Sequence, residues 1–145
     1  MVIGRYLFDM TNGWDGSPSA GDHVIVVSHR PRPDDWQPSG HSPVHPRPRQ
    51  ASYYFISDVA QAIAKAKRSP ASAPWSCRRA RSAGEVGGQA FALGLVDEVA
   101  MDVVPVVFGT GKRYFASADA QHLLEDPRTV IQGDRVLHLS YRVRR

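Results

Sequence analysis

One cysteine, Cys77, stands among 145 residues, so no disulfide can form within the chain. Paired Cys-x-x-Cys spacing, the mark of a structural zinc site, is missing as well, and no metal is expected. A lone thiol suits a reducing compartment, which makes the cytoplasm the expected location. The longest apolar run, Val103 to Phe108, is far short of the roughly 20 residues a membrane helix needs. The N-terminus also lacks a basic segment followed by a long apolar core. The formal charge of +4 comes from basic residues scattered between Arg5 and Arg145, with one cluster at Arg78, Arg79 and Arg81. No strand or helix pattern alternates aromatic with basic residues, so neither nucleic acid nor membrane is expected as a partner.

What is present reads as one globular domain, with 42% apolar and 22% charged residues. The opening Val2-Ile3-Gly4 suits a strand end running into a short helix, because Ile3, Tyr6, Leu7 and Met10 recur at helical spacing. Val24 to Val27 is a β-branched run of the kind buried on both faces of a sheet. The proline-rich stretch that follows has no periodicity, and 31–52 is expected to be irregular or mobile. Tyr53 to Ile56 has strand composition. Ser57 is a candidate N-cap for a helix over 58–67 whose apolar stripe is Val59, Ala62, Ile63 and Ala66.

The segment 69–83 is expected to be a second irregular stretch. Gly84 then opens a helix running to Leu93, closed by Gly94. Val99 to Phe108 predicts a long strand with Pro105 marking an edge or bulge. Residues 129–143 predict a β-hairpin turning at Gly133-Asp134, with Leu137, Leu139, Tyr141 and Val143 on one face. Helices and strands that alternate and then give way to antiparallel strands imply an α/β sandwich with a mixed sheet.

Gly109-Thr110-Gly111-Lys112 fails as a phosphate-binding Walker loop, because Val106 and Arg113 stand where a glycine and a hydroxyl residue are needed. It reads as a turn. Asp97 and Glu98 are adjacent, so on a strand they face opposite ways and cannot work as an acid and base pair. Gly84-Glu85-Val86-Gly87 is a candidate phosphate site, since glycines at a helix start let amides approach an anion favoured by the helix dipole. Gly4-Arg5 raises the same possibility, with a guanidinium able to grip phosphate in bidentate fashion. Ser28-His29-Arg30 follows a buried strand, where open α/β sheets bind ligands. If the strands are parallel neighbours, these three signals converge. His122 and His138 read as isolated, and Tyr6, Trp14 and Trp36 as core aromatics.

The stretch "GGQAFALGLVDEVAMDVVPVVFGTGKRYF", with "VIGRYLFDM", "VIVVSHRP" and "VLHLSYRV" in the same order, resembles the C-terminal reductase domain of the bacterial riboflavin deaminase-reductase and the related dihydrofolate-reductase-like proteins. The resemblance implies a dihydrofolate-reductase-like three-layer sandwich with a mixed, mainly parallel sheet and a C-terminal hairpin. It implies NADPH as cofactor and hydride transfer to a small heterocyclic or sugar-linked substrate, as in the phosphoribosylaminouracil reductase of riboflavin biosynthesis. Gly4 and Arg5 would then meet a cofactor phosphate, Ser28, His29 and Arg30 the adenosine end, and Gly84, Glu85, Val86 and Gly87 a second phosphate. Asp97 and Glu98 would be scaffold, and a homodimer through the C-terminal strands is expected. Family members begin with a strand and a Ser-Leu-Asp-Gly-like loop that this chain starts after, so it reads as an N-terminally shortened member. The alternative is an inactive, dimerising remnant of the family.

Overall fold

The computed structural model describes residues 1–18, 21–41, 50–68, 79–80, 84–116 and 121–145. The expected irregular segment 69–83 falls largely outside them, as do Cys77, Arg78 and Arg81. The chain divides into two compact units, Met1–Trp75 and Ser76–Arg145. The first carries a parallel sheet and the second a sheet that is mostly antiparallel, so the described strands are shared between two sheets. The α/β class holds.

In the first unit, β1 (Val2–Gly4) leads into α1 (Arg5–Met10), and β2 (His23–Val27) lies between β1 and β3 (Ser52–Ile56). The register pairs Gly4 with Val27 and Val27 with Ile56, so the three strands end together. Central placement explains the unbroken apolar run: Val24, Ile25 and Val26 are completely buried. On one face Ile3, Val24 and Val26 pack with Phe8 and Trp36. Ile25 alternates to the other face, where α2 (Val59–Arg68) packs on the sheet. Val59, Ala62, Ile63 and Ala66 form the buried stripe of α2, as the spacing predicts. Its cap is Asp58 rather than Ser57. The Asp58 carboxylate accepts from the Gln61 amide at 2.6 Å while its carbonyl accepts the first helical bond from Ala62.

The helical spacing misassigns the face of α1. Phe8 is its buried residue, whereas Tyr6 and Met10 are exposed, because the six-residue helix turns only one side chain fully onto the sheet. Trp36, inside the expected loop, is buried against Phe8 and Tyr53 with ring centroids 5.1 and 4.8 Å away. Its indole N–H donates to the Asn12 carbonyl. That carbonyl opens a left-handed turn: Asn12, Gly13, Trp14 and Asp15 have φ of +48°, +58°, +49° and +50°. Asn12, Trp14 and Asp15 put three non-glycine residues in the left-handed region within one turn, which is costly for L-residues, so the turn must be held from outside. Tyr53 donates its hydroxyl to Gly13 O, and the Ser39 amide and hydroxyl both donate to the Asp15 carboxylate.

In the second unit, β4 (Arg79–Ala80) runs parallel to β5 (Glu98–Val103), giving a two-residue strand within the expected irregular segment. α3 (Gly84–Ala92) is followed within two residues by Gly94, whose φ of +66° fits the expected stop. β5 stops at Val103, not Phe108: the chain leaves the sheet before Pro105, which cannot donate to a ladder, and Val104, Val106, Val107 and Phe108 are exposed. β6 (Thr129–Gly133) and β7 (Val136–Arg142) form the hairpin, with β7 between β5 and β6. The turn sits one residue later than expected, at Asp134-Arg135, with Arg135 at φ +54°. On β7 the buried residue is Ser140, not the apolar set, since Leu137 is exposed.

Candidate functional site

Parallel pairing of β1 and β2 brings two of the three sequence signals to one edge. Gly4 ends β1 and caps α1 without a side-chain bond, leaving Arg5 at the first helical position. Ser28, His29 and Arg30 leave β2 alongside. The Ser28 amide donates to Ile56 O, which keeps the exit from β2 tied to β3. A tight local turn follows: the Ser28 hydroxyl donates to Arg30 O at 2.8 Å and accepts from the Arg30 amide at 3.0 Å. The exit is thus held in place, while His29 and Arg30 are exposed.

The residue that joins the two signals is Asp9. Its Oδ1 accepts from Arg5 Nε at 2.6 Å, and its Oδ2 accepts from Arg30 Nη2 at 3.1 Å. Arg5 is held further, with Nη1 donating to Pro31 O at 2.9 Å and its guanidinium over the Phe8 ring at 5.6 Å. The i, i+4 spacing of Arg5 and Asp9 on one helix was a readable signal for this pair. Nothing local announced Arg30, 21 residues further along. The arrangement fits an anionic ligand group, because two guanidiniums converge on one carboxylate and a phosphate offers the same acceptor geometry with more charge.

Beside this cluster a cavity of about 350 Å³ is lined by Phe8, Asp9, Asn12, Pro33, Asp35, Trp36 and Gln37. Its walls combine ring edges with carboxylate and amide groups. The left-handed turn supplies Asn12, and the segment after Pro31 supplies the rest beyond α1.

Gly84, Glu85, Val86 and Gly87 belong to the second unit, at the start of α3. Gly84 has φ +41° and open space around it, while Gly87 is buried. Glu85 occupies the first turn, placing a carboxylate at the positive end of the helix. Asp97 and Glu98 tie the C-terminal strand: Asp97 pairs with Arg145 and its carbonyl accepts from Val143, and the Glu98 carboxylate accepts from the Ser140 hydroxyl.

His138 is not isolated. Cross-strand register sets it opposite Asp102, with Nδ1 2.7 Å from the carboxylate. With Thr129 and Ser140 this pair lines a cavity of about 220 Å³. It does not make a nucleophile–base couple, because the buried Ser140 hydroxyl is turned to Glu98. The sequence hid this pair because 36 residues separate its members. Among the described residues no group of three His, Cys, Asp or Glu side chains could hold a metal, and no helix is long and apolar enough to cross a membrane.

No protein-family model and no curated protein matches the chain. Among solved structures it is similar to a crystal structure of a Shewanella sp. PV-4 protein provisionally named for riboflavin biosynthesis. The two share 15% identity and a TM-score of 0.60, over 99% of this chain and 73% of that one. At this identity the likeness is one of fold.

Proposed function

We propose that the chain is an NADPH-dependent reductase of the riboflavin-reductase and dihydrofolate-reductase-like kind. The observation that carries this reading is the convergence of Gly4-Arg5 and Ser28-His29-Arg30 at the carboxyl edge of adjacent parallel strands, where open α/β sheets take their ligands. The sequence resemblance and the fold shared with the Shewanella protein point the same way. A bound nicotinamide would supply the hydride, and the substrate would be a small heterocyclic or sugar-linked compound. Arg5 and Arg30 would hold anionic groups of the cofactor, and the Ser28 turn would fix the loop carrying His29 and Arg30.

Titration of the folded protein with NADPH, followed by quenching of tryptophan fluorescence, tests the reading, with NADH as control. Saturable binding that favours NADPH is expected. Absence of binding to both nucleotides by a folded protein refutes it.

A second reading, a non-catalytic chain that pairs with a copy of itself, draws on the exposed apolar residues of the second unit. Val107 is 95% and Phe108 76% exposed, and Val130 and Ile131 add to them. Sedimentation across a concentration series tests that pairing: a monomer at all concentrations removes the second reading.

A further inference from the structure

The Asp9 carboxylate is the acceptor on which two arginines converge. Arg5 and Arg30 each direct a guanidinium nitrogen to a different carboxylate oxygen, at 2.6 and 3.1 Å. We propose that Asp9 is an internal anion that an incoming phosphate group must displace from these two arginines, so that it lowers the affinity of the site and sets its salt dependence. The proposal rests on the reading of Arg5 and Arg30 as the cofactor-phosphate site.

The alternative role for Asp9 would be to hold the arginines in place, and the geometry argues against it. Arg5 keeps two other restraints, the bond to Pro31 O and the Phe8 ring. The backbone of Arg30 is set by the Ser28 hydroxyl, which both donates to and accepts from it. The Arg30 side chain is 68% exposed and reaches back to Asp9 across the surface. Releasing Asp9 therefore leaves both arginines near the site and frees their charge. With the carboxylate present the three side chains sum to one positive charge, and with a neutral amide in its place they sum to two. Exposed pairs of this kind are individually weak, so a ligand dianion can displace Asp9, and the effect is screened by salt.

Two probes, NADPH and inorganic pyrophosphate, are titrated into the wild type, Asp9→Asn, Arg30→Gln and the double variant, at low ionic strength and at about 0.5 M salt. Fluorescence quenching reads NADPH binding, and the shift of the thermal midpoint reads pyrophosphate. Asp9→Asn is expected to bind both probes about three- to tenfold more tightly at low salt, with the gain vanishing at high salt and in the double variant. Unchanged or weaker binding of both probes by Asp9→Asn overturns the proposal. If NADPH fails with every variant but pyrophosphate binds more tightly to Asp9→Asn, the cofactor reading falls and the role of Asp9 stands. If neither probe binds any variant, both fall.

Discussion

Gly13→Ala is the substitution for which the structure makes the most definite demand. Gly13 has φ +58°, and a Cβ built there would lie 2.7 Å from Trp36 Cζ2 and 2.8 Å from Phe8 Cε2. The left-handed backbone alone costs an L-residue about 1–2 kcal/mol. The two rings belong to the buried cluster under the sheet and are not free to retreat, so overpacking adds about 1–3 kcal/mol. The total, about 2–5 kcal/mol, is a large share of the ~5–15 kcal/mol that holds a domain together. Gly21 serves as control, because its φ is +79° but the nearest atoms to its Cβ are 3.8 Å and 4.0 Å away. Gly21→Ala should therefore lose only the backbone share. Urea denaturation followed by tryptophan emission measures both, since Trp14 and Trp36 lie in the same unit as the two glycines. Equal losses for the two variants would refute the steric reasoning and with it the placement of the turn against Phe8 and Trp36.

The turn should also respond to pH from both sides. Burial pushes the Tyr53 phenol up to about 12; the folded form favours the protonated phenol, so its contribution is full below about pH 10 and is lost as pH rises towards 12. Tyr53→Phe should flatten that alkaline limb of the stability profile. The Ser39 hydroxyl and amide hold the Asp15 carboxyl below its ordinary range; its contribution is present above that range and is lost as pH falls through the lowered value, a loss that Asp15→Asn should remove from the acid limb. Asp58→Ala should cost about 1 kcal/mol through the lost cap on α2, whereas Ser57→Ala should change stability by less than about 0.5 kcal/mol.

Strands and helices were readable where burial is simple. The run Val24 to Val27 could hardly be anything but a central strand, and the stripe of α2 follows from spacing alone. Elsewhere a single residue changes the local outcome. Pro105 ends β5 early, Phe8 rather than Tyr6 and Met10 faces the core, and Trp36 reaches the core from a segment without periodicity. At the candidate site the sequence supplied Gly4, Arg5, Ser28, His29 and Arg30 through local chemistry and the logic of sheet edges. It did not supply Asp9, whose bond to Arg30 depends on β1 and β2 being parallel neighbours. The Asp102–His138 pair was hidden for the same reason, since it exists only through the register of β5 and β7.

A dinucleotide phosphate received at the carboxyl edge of β1 and β2 would move the backbone amides of that edge. Backbone amide NMR of the labelled protein, recorded during addition of NADPH, reads those shifts. The largest shifts are expected at Gly4, Arg5, Ser28, His29 and Arg30. Saturable binding that leaves the amides of 4–5 and 28–30 unmoved would contradict that placement of the phosphate.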